Sequence, residues 1–215
     1  MKNLQMKYNV LHILFWLSYL SIYGYVAVFL QYRGLSNTDI GIVTGAGAIF
    51  SIFLSPFVSS LLTKINSLSI KKLTLILYIM MFSFFFCLTF LSLPVVFIMF
   101  FYIGLLSLVV SIVPFLSMIC MDYLKAGQYI NFGLSRGLGS VSYAAGAVLV
   151  GQLIDIINPT VIGYVHLLSS VLLLVLLFSM PDYKIEEDNP QENKSNIFTI
   201  IKNYKTFFII GRAHV

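Results

Sequence analysis

Arg136 is the one charged residue between Lys125 and Asp155, and its guanidinium is the group in this sequence best suited to grip a polar solute. Its planar fork carries five donors and can hold hydroxyls or a carboxylate. Tyr143 follows two helical turns later and so projects from nearly the same face. Guanidinium and aromatic ring on one stripe suit a polar, ring-shaped solute, with donors for its oxygens and a flat face for its apolar side. Packing against a neighbouring helix accounts for Tyr143 equally well. If its helix begins near Tyr129, Arg136 lies about 10 Å in, at about 1.5 Å per residue. An arginine at the centre of a membrane helix costs about 2.5–3.5 kcal/mol and faces a cavity or a partner. At this shallower depth its long side chain can also snorkel to the headgroups. Position alone leaves both readings open.

A second stripe comprises His12, Trp16, Tyr19 and Tyr23, spaced four, three and four residues apart as on one helix face. These side chains could line a solute pathway, although aromatic residues also anchor helices at the lipid interface and pack cores. His12 is expected at the interface. His166 has no carboxylate partner in view and is expected to be structural.

Other chemistries are missing from the sequence. It has no metal-binding His pair, no paired carboxylates within an apolar stretch, no nucleotide loop and no nucleophile with a base at useful spacing. Asp155 is a lone acid. Gly137-Leu138-Gly139-Ser140 is too short for a phosphate loop. Cys87 and Cys120 lie in or at the end of apolar stretches and are expected as buried small residues. The expectation is therefore no enzyme, no metal, no cofactor and no nucleic-acid partner.

The elements that position these residues follow from composition. Hydrophobic residues make up 59% of the chain and charged ones 10%, too apolar for one water-soluble core, so lipid must be the main solvent. A charge-free run of about 20 residues crosses a bilayer core of about 30 Å. Val10–Leu30 and Ile40–Leu62 are such runs. Leu73–Met121 has no charge at all and is long enough for two, with Ser92-Leu93-Pro94 as the turn between them. A fifth span is expected over Tyr129–Leu153 and a sixth over Val161–Met180. The first run is too long for a signal-peptide core and is expected to be retained. With six spans, Lys2, Lys7, Lys64, Lys71, Lys72, Lys125, Lys184, Lys194, Lys202 and Lys205 fall on one side and Arg33 alone on the other. That asymmetry predicts a cytoplasmic N-terminus.

A six-helix bundle is thus expected over 1–180, a solvated cytoplasmic linker over 181–206, and the start of a seventh helix, cut short, over 207–215. The last six residues, Ile210–Val215, back-translate to ATC GGA AGA GCA CAC GTC, the sequence of a common short-read adapter. The natural sequence is therefore expected to run to about Ile209 and to continue into a second six-helix half. A genuine short basic tail is the other reading.

Ile40–Ile49, opening span two, and Phe132–Val141, opening span five, match in size and polarity at most positions. Gly41, Gly45 and Gly47 fall at the same offsets as Gly133, Gly137 and Gly139. The copies stand three spans apart, which makes them inverted in the membrane. A 3+3 inverted repeat within a six-span half is the architecture of major facilitator transporters. The fold class expected is therefore an all-α membrane protein, six transmembrane helices as a 3+3 inverted repeat. The six glycines permit close approach between helices, whether static or sliding.

Two stretches carry a more specific resemblance. FLQYRGLSNTDIGIVTGAGAIFSIFLSP, residues 29–56, resembles the first loop and second helix of the oligosaccharide–proton symporters, the major facilitator group that includes lactose permease. NFGLSRGLGSVSY, residues 131–143, resembles the start of that group's fifth helix. The group's pattern of Gly, Arg, a small residue and an aromatic falls here on Gly133, Arg136, Ser140 and Tyr143. The resemblance implies that Arg136 contacts substrate hydroxyls and that Tyr143 stacks on the ring. It also implies proton-coupled sugar or oligosaccharide uptake by alternating access, across the plasma membrane, of a bacterium. Two departures stand out. The group's fourth-helix glutamate, which pairs with the arginine, falls on Met118. The Gly and Asp of the loop after span two are replaced by Ser59 and Thr63. Galactoside specificity is therefore not carried over. A carrier of an aromatic acid, nucleoside or drug is a second expectation, and a half-size scaffold or channel component without transport of its own is a third.

Overall fold

The computed structural model describes residues 2–65 and 68–183, apart from the side chains of Lys2 and Thr63. Apart from 181–183, the expected linker and the expected seventh-helix start lie outside the described residues, as does the last six-residue stretch. Helix α1 runs Lys2–Tyr19 and passes into one π-helical segment, Leu20–Gly24. Helix α2, Val26–Tyr32, follows a bend of 55°. The remaining helices are α3 Asn37–Lys64, α4 Ile70–Phe90, α5 Val95–Lys125, α6 Phe132–Ile156 and α7 Val161–Ser179. Five of them are long and apolar enough to cross a membrane, and the bent α1–α2 pair makes a sixth span.

The spans sit where the charge-free runs place them, with differences at the ends that have physical causes. Span one starts at Lys2 instead of Val10, because nothing in Lys2–Asn9 breaks a helix and Lys7 has a partner. Span four continues to Lys125, and span five begins at Phe132, where the Asn131 side chain accepts from the Leu134 N–H at 2.9 Å. The α3 start is a capping box: Ser36 Oγ accepts from the Asp39 N–H while the Asp39 carboxylate accepts from the Ser36 N–H. Gly34 and Gly127 turn the chain at φ +87 and +74, before α3 and before α6, where a β-carbon would be strained. Ser36→Ala should lower stability by about 1 kcal/mol in detergent-based unfolding, with α3 fraying at its start.

The packing of the helices reveals the repeat. The main pairs are α3 on α5 and α1 on α6, then α4 on α5 and α1 on α7, with α4 against α7 between them. Exchanging spans one, two and three with four, five and six turns each pair into another pair of the same set. A bundle whose neighbour map survives that exchange is built of two equivalent triplets, and an odd number of spans makes the triplets inverted. The glycines show the same correspondence. A β-carbon on Gly47 would run into Leu106 of α5, and one on Gly139 into Trp16 of α1. In both places a small residue admits a large one from the span that the exchange predicts.

Four hydroxyls inside the spans are satisfied by their own helices, whereas the buried Tyr78 hydroxyl has no partner among the described residues. Thr74, Thr89, Ser107 and Ser111 each donate to the carbonyl four residues back, and Ser107 also reaches Gly47 O. Helix ends are closed by long cations and tyrosines. Lys7 Nζ donates to Ser179 O at 2.7 Å, Lys71 Nζ to Met180 O, and Tyr123 Oη to Pro181 O at 3.0 Å. At the opposite end Arg33 donates to Leu91 O at 2.6 Å, past the end of α4. Each cation meets the negative end of a helix, where its charge is favoured.

Candidate solute site between α1 and α6

Helix α1 opens the first triplet and α6 is the middle span of the second, and the two run in the same direction. Their contact is polar at the Lys-rich end. Gln5 Nε2 donates to Asn9 Oδ1 at 2.7 Å and to Ser135 Oγ at 3.1 Å, and Gln5 Oε1 accepts from the Asn131 N–H at 2.6 Å. Ser135 Oγ closes the network by donating to Asn9 Oδ1 at 2.6 Å. This set, which the sequence reading missed, fixes the register of the two helices. Its signal was the stripe Gln5, Asn9, His12, Trp16, polar at helical spacing up to the aromatic cluster.

The next turns bring the two candidate stripes together. The Arg136 guanidinium carbon lies 3.9 Å from the centre of the Trp16 ring, a cation–π contact. Arg136 is half-buried, and its Nη1 reaches Ser140 Oγ at 3.3 Å. No ion pair joins it to an acid among the described residues, and Met118, where the resembling group has its acid, is half-buried on α5. Because α6 begins at Phe132, Arg136 is only about 6 Å into the helix, shallower than its expected depth. It therefore sits near the positive end of the α6 dipole, which sharpens its need for a negative partner.

Tyrosines continue the site beyond Trp16. Tyr19 lies 5.1 Å from Trp16 and stacks on Tyr23 at 5.3 Å with their planes 20° apart. Tyr143 faces both Trp16 and Tyr19 at 6.5 Å between ring centres. A β-carbon on Gly24 would touch the Tyr143 hydroxyl, so Tyr143 reaches across to the π-helical segment of span one. Such segments widen a helix by one residue and recur at functional sites. Tyr25 Oη donates to Ala147 O, fastening the bend to α6. The Trp16 Nε1–H is buried with no acceptor among the described residues. Trp16, Tyr19, Tyr23, Arg136, Ser140 and Tyr143 thus form one cluster whose free polar groups are N–H donors and hydroxyls.

The glycines divide. Gly47 and Gly139 are buried in helix contacts, whereas a β-carbon on Gly41, Gly45 or Gly137 would meet nothing, and one on Gly133 only the Asn131 side chain at ordinary distance. These four leave smooth faces on α3 and α6, turned away from the bundle.

The two histidines among the described residues, His12 and His166, are both buried. His166 is fully enclosed, with Nδ1 3.1 Å from Ser18 Oγ, Nε2 3.2 Å from Ser170 Oγ, and its ring stacked on Phe85 at 4.4 Å. Hydroxyls replace the carboxylate that the sequence did not offer, and the role is structural. His12 is 1% exposed, with Tyr8 and Phe132 closing around its ring.

No curated protein and no solved structure matches this chain. A family model does, over residues 5–210. With nearly the whole sequence covered, and with six apolar spans arranged as two inverted triplets, this multi-pass membrane protein belongs to the MFS_1 like family, a transporter of the major facilitator kind.

Proposed function

We propose that this chain binds a small, ring-bearing solute with an anionic group between α1 and α6 and carries it by alternating access. One observation supports the reading above others: a guanidinium lying on Trp16, beside three tyrosines, with no acid to neutralise it among the described residues. Within the spans, Asp39, Asp122 and Asp155 sit at or near helix ends, so the cluster offers positive charge and donors without fixed negative charge. A carboxylate would take the free face of the guanidinium fork, and the attached ring would lie against Tyr19, Tyr23 or Tyr143. Trp16 Nε1–H supplies a further donor. The positive-inside asymmetry supports a cytoplasmic Lys-rich end, and uptake from outside the cell goes with a plasma membrane.

A neutral sugar or oligosaccharide, taken up with a proton, is the second reading. The resemblance of residues 131–143 to the symporter group favours it, and the same donors would serve hydroxyls. Competition separates the two. In vesicles carrying the protein, cyclohexanecarboxylate is expected to change the emission of Trp16, the only tryptophan in the chain, while methyl glucoside at the same concentration leaves it unchanged. The reverse result selects the sugar. Silence with both, at concentrations to about 10 mM, would leave the cluster as packing and favour a scaffold role.

A further inference from the structure

His12 is the one fully enclosed ionisable side chain on the site's own face whose polar atoms touch nothing. It lies one turn before Trp16 on α1, is 1% exposed, and neither ring nitrogen has a partner among the described residues. The faces around it are aromatic: Tyr8 meets its ring edge-on at 4.9 Å and Phe132 at 5.7 Å. A buried imidazole with both nitrogens unmet is costly to keep and gives no packing benefit that a leucine would not give. Its neighbour explains it better. Phe132, which meets the His12 ring, and Arg136, which lies on Trp16, are one turn apart on α6 just as His12 and Trp16 are on α1, so Arg136 is the next charged side chain along the same joint.

We propose that His12 binds a proton when an anionic solute occupies Arg136, so that proton and solute enter the site together. The inference rests on the carboxylate reading given above. With the solute site empty, a charged imidazole would add a second positive charge beside an uncompensated guanidinium. A carboxylate on Arg136 removes that repulsion and adds an attraction for the imidazolium. Occupied and protonated, the site then has the same net charge as when it is empty and unprotonated. By linkage the effect is reciprocal: the proton tightens anion binding by the factor by which the anion favours the proton.

The surroundings are consistent with this role. The other titratable groups nearby are Tyr8 on α1 itself and Cys120 on α5, which lies beside Tyr8; neither carries a charge in the working range of histidine. Helix α7, packed along the remainder of α1, offers only His166, whose nitrogens already lie against Ser18 and Ser170. Among these groups Arg136 alone carries a charge that a bound anion would offset. One turn before His12, Asn9 joins the hydrogen-bonded set with Gln5, Ser135 and the exposed Asn131, so polar groups run from the Lys-rich end to within one turn of the imidazole.

The test uses the full chain in vesicles, with cyclohexanecarboxylate as probe and Trp16 emission as the reporter. Between about pH 5 and 8 the dissociation constant should tighten by up to about tenfold per pH unit as pH falls. In weak buffer, close to one proton should be taken up per anion bound. His12→Asn should bind with an affinity that no longer follows pH and should take up no proton; His12→Gln serves if the first variant folds poorly. Wild-type binding that is flat with pH, without proton uptake, overturns the role of His12 and leaves the carboxylate reading standing. Proton uptake that persists in both variants overturns it too. Absence of anion binding at every pH overturns both.

Discussion

Arg136→Lys is expected to weaken solute binding and uptake about ten- to a hundredfold while leaving expression unchanged and lowering stability by no more than about 1 kcal/mol. The substitution keeps the charge and removes the plane. A guanidinium lies flat on Trp16 and still offers a fork of N–H groups to a carboxylate; an ammonium is a compact, strongly hydrated point that does neither well. Losing one limb of a charged bidentate contact costs about 1.5–3 kcal/mol, and weakening the cation–π contact about 0.5–1 kcal/mol. The first is one to two decades of affinity at about 1.4 kcal/mol per decade, and the second is lost from the bundle with or without solute. The measurement is a dissociation constant from Trp16 emission, paired with uptake into vesicles. An unchanged constant would return Arg136 to the snorkelling reading, since lysine snorkels equally well. Arg136→Ala is a poorer probe, because it also strips the cover from Trp16.

The second large effect is expected at two glycines only two residues apart. Gly139→Ala should destabilise the bundle by about 1–3 kcal/mol and weaken solute binding, because its new methyl group would overlap the five-membered ring of Trp16. The indole has little room to retreat, held edge-on by Phe15 at 5.4 Å and flanked by Tyr19 and Tyr143. Gly137→Ala should do the opposite. Nothing stands within reach of its β-carbon, and removing a mid-helix glycine gains up to about 1 kcal/mol. Unfolding in a graded detergent series, with Trp16 emission as probe, reads both. Equal effects at 137 and 139 would show that Trp16 is not seated against α6.

Charge-free runs, proline and a lysine asymmetry were enough to place the spans, because lipid forbids the alternatives. Their ends were less legible. Residues 2–9 mix charge with apolar side chains and read as a tail, yet they continue α1 because no glycine or proline stops them and their polar groups find α6. The bend after Gly24 was hidden for the opposite reason: LSIYG contains no proline, and a π-turn comes from packing around Tyr25 and Tyr143. Among site residues, spacing showed that Arg136 and Tyr143 share a face and that Trp16, Tyr19 and Tyr23 share another. That the two faces meet could not be read from periodicity, which orders residues around one helix and says nothing of its neighbour. The clue was Gly139, a gap the size of an indole three residues after the arginine. That His12 is enclosed was equally illegible, since the rings that cover it, Tyr8 and Phe132, come from two helices.

The two triplets share a neighbour map but not a chemistry. Where α6 and α1 set Gly139 against Trp16, with Arg136 one turn earlier, α3 and α5 set Gly47 against Leu106, with Thr44 in the place of the arginine. One copy keeps the joint and lacks the tool. After a duplication, selection on binding acts on one copy alone, while the other has only to hold its shape. Drift should therefore be freest around Thr44 and Leu106, provided bulk and glycine are kept. That unburdened copy is also the natural place for a new specificity to begin: a cation at 44 facing an aromatic at 106 would reproduce the same grip, upside down, on the far side of the axis.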